Sequence, residues 1–186
     1  MSEQNSPYNL PNAITVARIL LVPLFVWLTL HFGLSDLNAW WGIGVFVLAI
    51  STDGVDGAIA RRRGLVTNLG KILDPIADKA LTGAGFILLG IFGMLPVWAI
   101  VLVLLREWGI TVWRLVLARN VVIAANWGGK IKTILQAVVI PVMLSPLAQA
   151  WYWLAATAQV LCWITVLVTV GTGVQYLWAA RGAKRV

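Results

Sequence analysis

The sequence is poor in the residues that build most extracellular folds and soluble catalytic sites. One Cys and one His among 186 residues leave no disulfide framework and no zinc-finger spacing. Only 11% of the residues are charged, against about 25% in soluble domains. Apolar residues reach 60%, which excludes intrinsic disorder. The net charge of +7 is compatible with nucleic-acid binding, but the apolar content favours a membrane protein, and we expect no nucleic-acid partner.

The apolar residues gather in stretches long enough to cross a bilayer, which takes about 20 residues each. Six such spans are predicted, at residues 12–31, 39–60, 70–92, 96–118, 131–148 and 151–179. Pro11 and Asn12 are compatible with a short interfacial helix before the first span. Because the connections are short and no internal repeat or linker is visible, the sequence predicts a single all-α domain over residues 1–186. Its expected architecture is a bundle of six transmembrane helices.

The basic residues that flank the connections predict how this bundle is oriented. They lie around the connection after span two, around the connection after span four, and in the C-terminal tail. The loops at residues 31–38, 93–95 and 145–150 contain neither Lys nor Arg. By the positive-inside rule, both termini and the basic loops therefore face the cytoplasm.

Carboxylates at membrane depth are the first sign of chemistry. Of seven acidic residues, four lie within or at the ends of spans two and three: Asp53, Asp56, Asp74 and Asp78. The first two are three positions apart and the last two are four apart, so each pair shares a helix face. The two pairs meet at the cytoplasmic end, where they would repel unless a cation joins them. Oxygen ligands suit Mg²⁺ or Mn²⁺. The alternative is ion pairing with Arg61–Arg63 and Lys79.

These carboxylates belong to a longer pattern, D-x2-D-G-x2-A-R-x8-G-x3-D-x3-D, with every fixed position matched from residue 53 to residue 78. In this pattern the chain resembles the CDP-alcohol phosphotransferase family. The resemblance implies transfer of the phosphatidyl-type group of a CDP-linked lipid to an alcohol, with release of CMP and assistance from two divalent cations. It further implies that Asp53, Asp56 and Asp74 are metal ligands. Asp78 would complete the metal site and accept the hydroxyl proton.

The remaining residues of the pattern suit a nucleotide with a diphosphate. Gly57 and Ala60 lie one turn apart and leave a groove without bulky side chains. Arg61 continues that face with a planar guanidinium suited to the diphosphate. Gly70 allows span three to begin close to span two. The alternatives are simple helix packing for Gly57 and a topological anchor for Arg61.

The second half of the chain indicates an anionic, phosphorylated acceptor. Arg106 and Arg114 are eight positions apart, nearly on one face of span four, and Lys130 and Lys132 open span five. Buried cations beside a metal site are typical of phosphate binding. For the two lysines the alternative is contact with anionic lipid headgroups, and for Arg106 it is pairing with Glu107 or an Asp ligand.

Further patterns between residues 9 and 140 are similar to one bacterial branch of the family. They include L-P-N-A-I-T-V-A-R from residue 10, L-D-P-I-A-D-K from residue 73 and G-K-I-K-T from residue 129. In that branch the donor is CDP-diacylglycerol, the acceptor is sn-glycerol 3-phosphate and the product is phosphatidylglycerophosphate. The resemblance implies a homodimer in the bacterial cytoplasmic membrane, in contact with membrane lipids, with its active site facing the cytoplasm.

Two groups of alternatives remain. Related enzymes of the same fold use phosphatidylglycerol or an inositol phosphate as acceptor. Outside the family, four carboxylates could form the cation site of a transporter, although the inverted repeats and broken helices typical of transporters are not visible in the sequence.

Overall fold

The structure, a computed structural model, describes residues 10–63, 68–117 and 127–183, and the side chains at 12–52, 70, 72–113, 129–175 and 178. All regular elements in this part of the chain are helices, as the sequence predicts. They are α1 (Leu10–Phe32), α2 (Ala39–Arg63), α3 (Asn68–Ile91), α4 (Val97–Leu117), α5 (Trp127–Met143), α6 (Pro146–Ala150) and α7 (Tyr152–Ala183). Because α1 is continuous from Leu10, no separate interfacial helix interrupts it at Asn12.

Two glycines follow the C-terminal ends of long helices, at the end of the bundle away from the sequence motif. Gly33 follows α1 with φ +68°, and Gly93 follows α3 with φ +72°. Residues with a Cβ rarely adopt this left-handed backbone conformation. It allows backbone N–H groups that follow the helix to donate hydrogen bonds to the last carbonyls of the helix. The Met94 N–H accordingly donates to the carbonyl of Leu89 at 2.8 Å. Both helices therefore stop abruptly before short connections.

Helix α3 lies at the centre of the bundle, where it packs against α1, α2, α4 and α5. The core is filled by large apolar side chains from every side, including Phe25 of α1, Phe46 of α2, Phe86 of α3 and Ile140 of α5. The rings of Phe25 and Phe46 pack with their centroids 5.2 Å apart. Since α3 carries the second half of the sequence motif, this central position lets a neighbouring helix contact its carboxylates, as Thr15 of α1 does with Asp74.

The predicted end of the fifth span, at residue 148, is wrong. Helix α5 ends at Met143, and the short helix α6 begins at Pro146. A proline disfavours helical conformation in the residue before it, and Ser145 is indeed extended, at φ −82° and ψ 148°. The Ser145 side chain then caps α6 by accepting from the Ala148 N–H at 3.3 Å. Local cap chemistry thus separates two helices that hydropathy alone joined.

Two helical segments in the described part of the chain are long and apolar enough to cross a membrane on their own composition: Asn12–Phe32 and Tyr152–Gln175. Ala39–Thr52, in the first part of α2, is a shorter apolar stretch. The other long helices carry the charged residues of the predicted site, which interrupt their apolar runs.

Candidate active site

The first half of the motif lies on the C-terminal part of α2, which the structure extends to Arg63. The structure does not describe the side chains of this half, which are those of Asp53, Asp56, Ala60 and Arg61, or the surroundings of Gly57. The second half begins with Gly70, which is buried near the start of α3.

Asp74 and Asp78 are one turn apart on α3 and both are partly buried. Asp74 accepts a hydrogen bond at its Oδ1 from the hydroxyl of Thr15 on α1, at 2.6 Å. Thr15 is 1% exposed, so this bond lies in the packed contact between α1 and α3. Asp78 accepts a hydrogen bond from the ammonium of its neighbour Lys79. Both described carboxylates of the motif, Asp74 and Asp78, thus have a hydrogen-bond donor that restricts their orientation.

Glu107 of α4 forms the centre of an ion cluster next to this pair. Its Oε1 and Oε2 lie 2.6 and 2.7 Å from Nζ of Lys132, on α5. Its Oε2 is also 3.4 Å from Nζ of Lys79, on α3, and its Oε1 accepts from Nη1 of Arg106 at 3.0 Å. The side chains of Glu107 and Lys132 are 3% and 4% exposed. We call Lys79, Arg106, Glu107 and Lys132 the Glu107 cluster.

Arg106 is held from a fourth helix as well. Its Nη2 donates to the hydroxyl of Thr172 on α7, at 2.9 Å. The next residue, Gly173, lies directly against the stem of Arg106, and a Cβ there would come within 2.7 Å of its Cγ. A small residue at this position therefore lets the arginine pass between α4 and α7.

The four predicted acceptor-binding residues do not all lie together. Arg106 and Lys132 meet in the Glu107 cluster, whereas Lys130 is exposed on another face of α5. Two positions along a helix correspond to about 200° of rotation, which separates Lys130 from Lys132. The side chain of Arg114, also predicted here, lies outside the described ones.

A comparison with known proteins identifies the family of this chain. The family profile of CDP-alcohol phosphatidyltransferases matches residues 8–171. The chain belongs to this family.

Curated relatives cover nearly the whole chain. A protein of Mycobacterium tuberculosis named as a probable phosphatidylglycerophosphate synthase is 42% identical over 174 residues, which cover 91% of this chain and 80% of the relative. A CDP-diacylglycerol–glycerol-3-phosphate 3-phosphatidyltransferase of Bacillus subtilis is 39% identical, with 91% and 93% covered. The enzyme of the same name from Rickettsia bellii is 36% identical, with 93% and 96% covered.

Members of this family use divalent cations, and the described residues can be tested for their fit to such ions. Asp74 and Asp78 offer carboxylate oxygens, the ligand type preferred by Mg²⁺ and Mn²⁺. The bond from Thr15 to Asp74 is the kind of support that metal-binding carboxylates receive from their surroundings. Within the described side chains no three acidic, His or Cys residues come together, and Asp53 and Asp56 are not among those side chains. The two carboxylates on α3 fit one side of a divalent-cation site.

Three residues that the sequence did not assign to the site contact its predicted members. Thr15 orients Asp74, Glu107 gathers the cations, and Lys79 connects Asp78 with Glu107. For Glu107 a signal existed, because an ionisable residue deep in a predicted span is functional by default. Thr15 could not be singled out, since its partner is 59 positions away in the sequence.

Proposed function

We propose that this chain transfers the phosphatidyl group of CDP-diacylglycerol to sn-glycerol 3-phosphate, giving phosphatidylglycerophosphate and CMP. The family supports transfer from a CDP-linked donor, and the names of the relatives support this donor and acceptor. The choice of acceptor is supported by the Glu107 cluster, in which three cations surround one carboxylate beside Asp78.

The reaction is a single in-line displacement. The acceptor hydroxyl oxygen forms a bond to the lipid-linked phosphorus of CDP-diacylglycerol, while the bond from that phosphorus to the oxygen of the CMP phosphate breaks. CMP departs with the electron pair of that bond. The proton of the hydroxyl passes to a carboxylate, for which we propose Asp78. No protein nucleophile is required: His31 stacks on Trp27 at the opposite end of α1, and Cys162 is buried in the core.

The donor side of the site consists of the sequence motif. We propose Asp53, Asp56, Asp74 and Asp78 as ligands of two divalent cations. Bound there, Mg²⁺ or Mn²⁺ would offset the diphosphate charge and make the hydroxyl a better nucleophile. Thr15 keeps the Asp74 carboxylate in one orientation for this purpose. We further propose that Gly57, Ala60 and Gly70 leave room for the nucleotide and that Arg61 pairs with the diphosphate.

The acceptor side consists of cations from the second half of the chain. Arg106 and Lys132 are proposed to attract the acceptor phosphate. The sequence also predicts this role for Arg114 and Lys130, although Lys130 lies on another face of α5 from Lys132. Lys79, Arg106 and Lys132 against Glu107 give this group a formal charge of +2, which falls to +1 when Asp78, the other partner of Lys79, is counted. A phosphate monoester carries about −1.5 to −2 at pH 7, whereas the phosphodiester of phosphatidylglycerol carries a single charge. The charge of the cluster therefore favours glycerol 3-phosphate over phosphatidylglycerol.

We place the whole chain, residues 1–186, in the cytoplasmic membrane as one domain with six spans, formed by the six long helices of the described residues. These helices contain 17 to 32 residues, and a span takes about 17–25. Each of them exposes large apolar side chains, such as Leu20, Leu48, Ile87, Leu105 and Ile134. Soluble proteins rarely expose apolar patches of this extent. The basic connections would face the cytoplasm together with the site, and the homodimer remains a prediction.

CMP release by the purified protein tests this function. CDP-diacylglycerol and Mg²⁺ or Mn²⁺ are supplied with glycerol 3-phosphate, phosphatidylglycerol or inositol 1-phosphate as acceptor. We expect metal-dependent release with glycerol 3-phosphate only. Release with another acceptor alone would retain the donor site and refute our choice of acceptor, and the absence of release from folded protein would refute the proposed reaction.

A further inference from the structure

The Glu107 cluster contains more positive charge than its carboxylate needs. A buried carboxylate is expensive to remove from water, and one well-placed cation can offset this cost. Lys132 alone meets that need, because its ammonium contacts both oxygens of Glu107. Lys79, which also pairs with Asp78, and Arg106 nevertheless approach the same carboxylate, so that three cations face two carboxylates. A surplus cation at this depth is costly in itself, and its presence indicates a site built for an anion.

Two buried donors beside the cluster point to the same kind of ligand. Among the described residues, neither Nε of Arg106 nor Nε2 of Gln136 has a hydrogen-bond acceptor. Gln136 is 1% exposed and lies one helical turn beyond Lys132, on the same face of α5. Buried polar groups are rarely left unsatisfied. Since both atoms are N–H donors, a group that satisfies either of them is an acceptor, such as a phosphate oxygen.

The exposed fractions of the side chains show which members of the cluster lie near the surface and which lie deeper. Asp78 is 21% exposed and Lys79 and Arg106 are about equally accessible at 15% and 16%, whereas Glu107 and Lys132 lie behind them. Both oxygens of Glu107 are engaged by cations, and its charge would repel a phosphate. Glu107 is therefore unsuited to bind the acceptor itself.

We infer that Glu107 is a positioning residue for the acceptor: it holds Lys79, Arg106 and Lys132, from three helices, at one place where they bind the acceptor's phosphate monoester. This inference rests on the proposed function. Without the carboxylate, the three cations repel one another and separate, and the site loses its preorganised geometry. The lost preorganisation weakens binding of the acceptor and leaves binding of the CDP-lipid to the motif on α2 and α3 unchanged.

The substitution Glu107→Gln tests this inference, because it keeps the shape of the side chain and removes its charge. CMP release is measured at saturating CDP-diacylglycerol with varied glycerol 3-phosphate, and then with the two substrates exchanged. We expect the KM for glycerol 3-phosphate to rise about tenfold, the factor that corresponds to one well-placed interaction, and the KM for CDP-diacylglycerol to stay within about twofold of the unaltered protein. Asp36→Asn is the control, because it removes the same charge from an exposed loop between α1 and α2.

A double-mutant cycle distinguishes positioning from an independent contribution. Because Glu107 acts through three cations, one of which is Lys132, the two single effects overlap. The double variant Glu107→Gln/Lys132→Met should therefore raise the KM for the acceptor above that of Lys132→Met, but by less than the product of the two single effects. Independent contributions would multiply, to about a hundredfold for two tenfold effects. The double variant removes both charges of the Glu107–Lys132 pair. If Glu107→Gln alone does not fold, the comparison of the double variant with Lys132→Met supplies the measurement, and equal KM values would overturn the inference.

Several results would overturn the inference. They are an unchanged acceptor KM in folded Glu107→Gln protein, an equal rise in both KM values, or multiplicative effects in the cycle. If the unaltered protein uses a different phosphorylated acceptor, the proposed function fails in that respect, and the same KM comparison is made with that acceptor. CMP release with an uncharged acceptor only would overturn both the proposed function and the inference about Glu107.

Discussion

The substitution Thr15→Val probes whether the donor site depends on a residue outside its sequence motif. Valine replaces the hydroxyl of Thr15 by a methyl group of similar size, so packing between α1 and α3 is retained. The change removes the hydrogen bond of 2.6 Å to Oδ1 of Asp74. Because Thr15 is 1% exposed, water has little access to replace this bond. The Asp74 carboxylate then loses a constraint on its orientation toward the proposed cations.

The size of the effect follows from the type of bond. A hydrogen bond to a charged group contributes about 1.5–3 kcal/mol, and removal of a partner that supports a metal ligand lowers metal affinity about 10–100-fold. At the lower limit, half-maximal activity requires about ten times more Mg²⁺. In a single-site treatment, Mg²⁺ at about 100 times the original Kd stabilises the fold by about 2.7 kcal/mol, and a tenfold weaker site gives about 1.4 kcal/mol. The metal-dependent rise in Tm therefore falls by about half.

Two assays measure this prediction: thermal unfolding of the purified protein during a Mg²⁺ titration, and CMP release at the same metal concentrations. Thr15→Ser should behave like the unaltered protein, because the hydroxyl remains. Thr165→Val is the matched control, since that buried hydroxyl donates to the carbonyl of Leu161 within α7 and has no contact with Asp74. An unchanged metal dependence in Thr15→Val would refute the assigned role of Thr15.

Two further predictions concern the motif and the packing of α3. Asp74→Asn or Asp56→Asn should abolish turnover while the protein stays folded, and near-normal CMP release would contradict the proposed metal site. Gly85→Ala should lower the free energy of unfolding by about 1–3 kcal/mol, as overpacking does, because its Cβ would come within 2.6 Å of Cγ2 of Ile140. Gly44→Ala, with no atom within 4 Å of the added Cβ, is the control, and equal melting temperatures of the two variants would argue against this contact.

Helix content and most helix starts could be predicted from the sequence, because hydropathy and turn glycines are local properties. The start of α2 at Ala39 and the end of α1 near residue 32 follow from such signals. The break between α5 and α6 could not be read from hydropathy, since Pro146 and Leu147 continue the apolar run. There the N-cap of Ser145 and the conformation required before Pro146 decide the outcome.

The predicted site likewise has a part that is local in the sequence and a part that depends on how the helices pack. The motif from Asp53 to Asp78 is defined by spacing within two adjacent helices, so its residue types and register could be read directly. The Glu107 cluster depends on contacts between residues 25 and 28 positions apart, on three helices. Spacing along the chain grouped Lys130 with Lys132, although rotation about α5 places only Lys132 in the cluster. Distances of this kind depend on how the helices pack, which the order of residues in one helix does not specify.

The adjacency of Asp78 and Lys79 limits the acceptor that the proposed reaction can use. Lys79 contacts Asp78 and also lies 3.4 Å from Glu107, so about one side chain separates the proposed proton acceptor from the carboxylate that holds the proposed phosphate-binding cations. An acceptor that reaches both must carry its hydroxyl and its phosphate a few bonds apart. In glycerol 3-phosphate these groups occupy the two ends of a three-carbon chain. A phosphodiester with two acyl chains carries a single negative charge and therefore offers less charge to these cations. Geometry and charge thus favour the same small phosphomonoester.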